Sequence, residues 1–248
     1  MSVEDWKLEP ARDLGLPLAE RLRSVRRESG LVESFAHRAW WLVIRSYLGL
    51  CHRLTILGRE HVPNRPPFLL VANHSSHLDA LVLAASMNGR LRDHVFPIAA
   101  GDTFFETPVL TAFAAYVLNA LPLWRRNCGP HALAELRQRL VGEPCAFILF
   151  PEGTRSRDGR MATFKPGMGM IVAETAVPVV PCYLAGAFES LSADRRWPRW
   201  HKVTLSIGEP LVFESAKNDR AGWLEIARTT EAAVRQLSGE SREPCEPS

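Results

Sequence analysis

An α/β fold, a single domain with a mixed, mostly parallel central sheet flanked by helices, is what this 248-residue sequence predicts. Two observations carry the prediction. After Pro66-Pro67, short apolar runs alternate with longer stretches whose apolar residues recur at helical spacing, the pattern of buried strands covered by helices. The composition, 46% apolar and 23% charged, is that of a globular protein with one sizeable core.

The elements follow in order. The first 30 or so residues read as a helical arm, with Arg21, Arg23, Arg26 and Arg27 close together. Over residues 36–56 an amphipathic helix is expected, with Arg38, Arg45 and His52 on one side and Trp40, Val43, Ile44, Tyr47, Cys51 and Leu54 on the other. About 21 residues at roughly 1.5 Å each would cross a bilayer core. Arg45 in the middle argues against that, because burying it there costs on the order of 3 kcal/mol. The helix therefore either lies in the plane of a membrane interface or packs its apolar face on the core. Both remain open, and the preceding arginines would add attraction to anionic lipid.

Strands are predicted near residues 67–72, 95–100, 119–124, 145–150, 178–184 and 202–207, and helices near 78–88, 107–118, 129–141, 166–175 and 219–237. Pro108 suits the first turn of a helix, which needs no amide donor there. Asn88-Gly89 and Val141-Gly142 are stop signals. Residues 238–248, rich in Ser, Glu and Pro, read as a disordered tail.

Charge and cysteines narrow the function. A net charge of +3, without basic residues interleaved by aromatics, gives no ground for a nucleic-acid partner. The five cysteines form no C-x-x-C pair, and Cys145 and Cys182 fall in apolar runs, so reduced core thiols are expected rather than disulfides or a zinc cage. The polar, acidic start Met1-Ser2-Val3-Glu4-Asp5 lacks the order of a secretory signal.

Chemistry concentrates in Asn73-His74-Ser75-Ser76-His77-Leu78-Asp79, placed between the apolar run Phe68-Leu69-Leu70-Val71 and the next helix. A histidine at the mouth of a buried strand can take a proton from an alcohol if a carboxylate holds its other ring nitrogen, and Asp79 is the candidate for that. The plainer alternative makes Ser75, Ser76 and Asp79 helix caps and His74 a loop residue. A further alternative places His74, His77 and Asp79 around zinc in a hydrolase. The metallo-β-lactamase pattern H-x-H-x-D-H would need histidines where Ser75 and Ala80 stand.

A second stretch, Phe150-Pro151-Glu152-Gly153-Thr154-Arg155-Ser156, follows the strand-like Cys145-Ala146-Phe147-Ile148-Leu149. It too falls at the carboxyl end of a strand, where open α/β sheets bind ligands. Gly153 permits close backbone approach, Thr154 offers a hydroxyl, and Arg155 offers donors matched to phosphate oxygens. Arg157, Arg160 and Lys165 make the neighbourhood cationic. Arg125, with Arg126 beside it, is a third cation after an apolar run, Leu121-Pro122-Leu123-Trp124.

Together these pieces resemble the glycerolipid acyltransferase family, typified by 1-acylglycerol-3-phosphate O-acyltransferases. The stretch from Asn73-His74 to Asp79 is similar to its N-H-x-x-x-x-D block, and Leu121 to Arg125 to its apolar strand ending in arginine. Phe150 to Ser156 is similar to its F-P-E-G-T-R-S block, Phe164-Lys165-Pro166-Gly167 to its F-K-x-G, and Val177-Pro178-Val179-Val180-Pro181 to its closing block. The second block departs at Trp124, where the family often has a small or acidic residue, and Arg126 offers a competing cation.

The resemblance spans roughly residues 68–184 and implies an acyltransferase domain over 61–237, behind an N-terminal membrane-interface segment over 1–60. It implies that His74 is the general base and Asp79 its orienting partner, with Arg125, Glu152, Gly153, Thr154, Arg155 and Lys165 binding substrate. The donor would be acyl-CoA or acyl carrier protein, and the acceptor a lysophospholipid. Neither metal nor cofactor is called for. Phe104-Phe105 and the apolar residues 109–118 would line an acyl groove or simply be buried. The expected location is the cytoplasmic face of a membrane, held peripherally. A non-catalytic lipid-binding member of the fold is the remaining alternative.

Overall fold

A computed structural model describes residues 31–100, 121–123, 130–195 and 197–239 of the chain. The residues before 31, the helix expected over 107–118, the proposed acyl-groove residues Phe104 and Phe105, the ends of the strand expected over 119–124, Arg125, Arg126 and the tail from 240 lie outside them.

Among the described residues seven strands make one sheet: β1 (Thr55–Leu57), β2 (Phe68–Ala72), β3 (Val95–Ala100), β4 (Leu121–Leu123), β5 (Ala146–Leu149), β6 (Val179–Ala185) and β7 (Thr204–Ile207). Their order across the sheet is β1-β7-β6-β2-β5-β3-β4. All neighbouring pairs are parallel except β6 with β7, so the expected mixed, mostly parallel arrangement is present. The helices are α1 (Leu31–Cys51), α2 (Asp79–Ser86), α3 (Gly89–Arg92), α4 (Pro130–Gly142), α5 (Gly167–Val172), α6 (Ala187–Leu191) and α7 (Arg220–Ser238).

Strand β2 explains the layering. Every one of its residues is buried, because neighbours pair on both edges and helices cover both faces. Phe68, Leu70 and Ala72 point into a core shared with Trp41, Ile44 and Leu48 of α1 and Val82 and Leu83 of α2. Leu69 and Val71 point the other way, toward Leu136 and Leu140 of α4, Met168 and Ile171 of α5 and Ile226 and Val234 of α7. Successive strand residues facing opposite sides thus divide the core into two halves. Burial pushes the Cys145 thiol up to about 12 and raises that of Cys182 as well, so both are inert core groups.

Three expectations need correction near the N-terminus. The amphipathic helix stops at Cys51 rather than running to Ile56, because Arg53 takes a left-handed φ of 43° and the chain then enters β1, which pairs with β7. The sheet therefore begins before residue 61. The buried face is also rotated: Trp41, Ile44 and Leu48 sit in the core, whereas Val43, Leu42 and Leu50 are exposed. His52, expected on the polar side, is fully buried, with Nδ1–H donating to the His201 carbonyl at 3.2 Å and Nε2 accepting from the Tyr47 hydroxyl at 2.9 Å. Among the described residues no helix is long and apolar enough to cross a membrane.

Candidate active site

Parallel strands β2 and β5 end level with one another, Val71 opposite Leu149, so the loops that follow them meet at the carboxyl edge of the sheet. Asn73 fixes the first loop. Its side chain donates to the Leu184 carbonyl at 3.1 Å and accepts from the Leu184 amide at 2.8 Å, continuing the β2–β6 pairing after the strand itself has ended.

The chain then doubles back, so that Asp79, in the first turn of α2, reaches the loop before it. Asp79 Oδ2 accepts the amides of Ser75 and Ser76, each at 2.8 Å, and lies 2.8 Å from His74 Nδ1. Asp79 is wholly buried, while the His74 side chain keeps 23% of its surface exposed. A carboxylate only accepts, so Nδ1 carries the proton and Nε2 is left as the acceptor of a neutral ring. Among the described residues Nε2 has no protein partner. Phe150 stacks on the imidazole, centroids 4.1 Å apart and planes 15° from parallel, which fixes the ring's tilt as Asp79 fixes its rotation. Ser75 and Ser76 donate their amides to Asp79, and the Ser76 hydroxyl also accepts the Leu78 amide at 3.1 Å just ahead of α2.

The second loop is fastened to the first by Glu152. Its Oε1 accepts the His74 amide at 2.7 Å and its Oε2 the Ala162 amide at 2.9 Å, and the Ser156 amide donates to the His74 carbonyl at 2.8 Å. Burial raises the Glu152 carboxyl above the usual range, and the two amide hydrogen bonds pull in the opposite direction.

The zinc arrangement is not built. His77 is engaged elsewhere: Arg155 Nη1 donates to His77 Nδ1, and His77 Nε2–H donates to the Ala193 carbonyl at 3.3 Å. Desolvation of the ring, then the Arg155 charge, lowers the His77 pKa. Among the described residues no three His, Cys, Asp or Glu side chains form a group able to hold a metal ion.

A family model described as Acyltransferase matches residues 53–185, more than half of the chain. The chain belongs to the acyltransferase family. It is 28% identical over 194 residues to the sheep 1-acyl-sn-glycerol-3-phosphate acyltransferase alpha, covering 77% of this chain and 66% of that one. A chloroplastic 1-acyl-sn-glycerol-3-phosphate acyltransferase of Brassica napus is 33% identical over 139 residues, covering 54% and 38%. The chain thus spans less than two thirds of the length of these relatives. The crystal structure of the 1-acyl-sn-glycerophosphate (LPA) acyltransferase PlsC from Thermotoga maritima superimposes with a TM-score of 0.64 at 25% identity, covering 87% of this chain and 83% of that one.

In this acyltransferase-family chain, two of the cations expected from the sequence, Arg155 and Lys165, are placed at the second loop. Arg155 lies beside the His74 loop through His77. Gly153, at a φ of 75°, makes room for Lys165, whose Nζ would stand 2.5 Å from a Cβ at position 153. Thr154 is exposed on the same turn. Arg125 lies outside the described residues. Two contributors were quoted in the motifs but given no task by the sequence: Phe150, as the stacking partner, and Asn73, as the brace. Their placement directly after a strand, Asn73 after β2 and Phe150 after β5, was the available signal.

Proposed function

We propose that the chain moves a fatty acyl group from an acyl thioester, of CoA or acyl carrier protein, to the free hydroxyl of a lysophospholipid of the 1-acylglycerol-3-phosphate type. The observation that carries this reading is the 2.8 Å contact between His74 Nδ1 and buried Asp79 Oδ2, beside a loop bearing Arg155 and Lys165. The names of the relatives, 1-acyl-sn-glycerol-3-phosphate acyltransferases, agree with it.

In this mechanism His74 Nε2 accepts the acceptor's hydroxyl proton as that oxygen attacks the thioester carbonyl carbon. The tetrahedral intermediate collapses with cleavage of the carbon–sulfur bond, and the imidazolium returns its proton to the departing thiolate. Asp79 stabilises the imidazolium while it exists. Positioned proton transfer of this kind contributes roughly 10²- to 10⁴-fold. Arg155, Lys165, Thr154 and the backbone at Gly153 receive the acceptor's phosphate, and Arg125 is proposed to join them. Since the acceptor is a membrane lipid, the enzyme works at a membrane surface, and the reduced thiols favour its cytoplasmic face.

Transfer of labelled acyl groups from both donors to a panel of lyso acceptors tests the reading. His74→Ala is expected to lose at least about 10²-fold in turnover while still binding lipid, and Arg155→Ala to raise the acceptor KM. Parental turnover in His74→Ala would remove the proposed base. Lipid binding without transfer to any acceptor would favour a non-catalytic member of the fold.

A further inference from the structure

Between α6 and β7 runs Ser192-Ala193-Asp194-Arg195-Arg196-Trp197-Pro198-Arg199-Trp200-His201-Lys202-Val203. Trp197 and Trp200 are 81% and 84% exposed, the highest values among the large exposed hydrophobic residues described, whereas Trp41 is buried and Trp40 and Trp223 are partly so. Indoles usually hide most of their surface in a folded protein, and two left in water within four residues require an account. The loop is not loosely trailing. The Arg195 side chain donates to the Glu189 carbonyl at 2.7 Å, the Arg199 amide to the Ser190 carbonyl at 2.7 Å, and the Val203 amide to the His52 carbonyl at 2.8 Å. The indoles are presented outward by a pinned backbone.

We infer that residues 197–203 form a membrane-docking element: Trp197 and Trp200 enter the headgroup layer of an anionic phospholipid surface, and Arg199 and Lys202 meet its phosphates. Three observations favour a lipid surface. Asp194 is the only acidic residue between α6 and β7, so the charge there is complementary to anionic lipid. Tryptophan suits this boundary in particular, with an apolar ring and one N–H that stays in the polar layer.

The third observation is where the loop is rooted. At one end, Ser192 pairs with Ser76 and the Ala193 carbonyl accepts from His77, so the loop springs from the turn that carries His74. At the other end, His201 and Val203 bond to His52, directly after α1, whose Leu42, Val43 and Leu50 are exposed alongside Arg38 and Arg45. The docking loop thus ties the edge of the active site to the outward-facing residues of α1. Resting on the proposed lysophospholipid acceptor, this geometry sets the site's entrance against the bilayer that supplies it.

Flotation with vesicles of phosphatidylethanolamine and phosphatidylglycerol tests the inference on the full chain. Trp197→Ala/Trp200→Ala is expected to partition at least about tenfold less than the parent, with an unchanged melting temperature, and to lose quenching by brominated lipid. Arg199→Gln/Lys202→Gln should lose roughly fivefold per charge on these vesicles and little on pure phosphatidylcholine. Turnover of a short-chain acceptor dissolved as monomer should stay at the parental value in both variants, while turnover of vesicle-borne acceptor falls with partitioning. Parental partitioning in the double tryptophan variant would overturn the inference. So would a defect confined to carrier-protein donors, which would make the loop a protein contact. If no acceptor is acylated at all, the flotation result still decides the docking claim separately from the proposed reaction.

Discussion

Glu152 Oε1 accepts the backbone N–H of His74 at 2.7 Å, joining the loop after β5 to the loop after β2 through one buried carboxyl group. Its other oxygen takes the Ala162 amide at 2.9 Å, so both oxygens are committed to the protein's own backbone. Glu152→Gln keeps the shape but turns one acceptor into a donor that must face an amide. Leaving such a group unsatisfied costs about 1–3 kcal/mol. The variant is expected to unfold at correspondingly lower urea concentration and to transfer acyl groups more slowly, since His74 would lose its fixed backbone. Parental values in both assays would show that the oxygens' partners are dispensable.

Asp79→Asn separates the carboxylate's charge from its hydrogen bonds. One oxygen, Oδ2, accepts from Ser75, Ser76 and His74 Nδ1, so an amide oxygen in its place keeps all three contacts, and the NH₂ takes the buried Oδ1 position. The ring stays oriented, but the imidazolium formed in the reaction loses the neighbouring negative charge. The expected result is a loss in kcat of about 10²-fold or more with a nearly unchanged acceptor KM. A loss below about tenfold, measured by steady-state acyl transfer, would mean that the Asp79 charge does not stabilise the imidazolium.

How far the fold was legible in the sequence depended on burial. Strands β2 and β5 stood out because a strand covered on both faces is a continuous apolar run. Strand β1 did not, since Thr55-Ile56-Leu57 is too short to show a period and follows the amphipathic run directly, with only the left-handed turn at Arg53 between them. The same periodicity placed the buried face of α1 about a quarter of a turn away from Trp41 and Leu48, because aromatic and aliphatic residues lie nearly all round that helix. At the site, His74 and Asp79 were legible because the chemistry demands those residue types. The bracing task of Glu152 was not, because a sequence does not say which amides a carboxylate will meet. Trp197 and Trp200 carry no such signal, since an irregular loop has no period.

Gly153 and Lys165 form a second coupled pair. At a φ of 75° an alanine is strained, and its Cβ would come within 2.5 Å of Lys165 Nζ and 3.2 Å of Cε. The lysine end can move aside, so Gly153→Ala is expected to cost about 1–2 kcal/mol, from the backbone. Displacing the ammonium group should raise the acceptor KM. Lys165→Ala should raise it too, and the double variant by less than the product of the two effects. Independent, multiplying effects would indicate that Gly153 acts without Lys165.

Leu48 and Leu50 discriminate between the two faces of α1. Leu48 is fully buried against the sheet and Leu50 is 80% exposed. Leu48→Ala is expected to destabilise by about 2–5 kcal/mol, as for a core cavity. Leu50→Ala should stay within about 0.5 kcal/mol. Equal effects in urea unfolding would mean that the helix packs in another rotation.

His52 gives the fold a dependence on acid. The ring is fully buried, Nδ1–H donates to the His201 carbonyl, and Nε2 must be unprotonated to accept from Tyr47. Burial lowers its pKa, with the His201 hydrogen bond opposing only in part. The unfolded chain therefore takes up a proton near pH 6.5, the ordinary histidine value, while the folded chain resists until lower pH. Stability contributed by the neutral ring is complete above about pH 6.5 and declines as the pH falls below it. His52→Gln can hold the two polar contacts without titrating, so its stability should be lower than the parent's at pH 8 yet flatter between pH 7 and pH 5. Thermal unfolding across that range checks this, and an equally steep acid slope in the variant would assign the loss to another group.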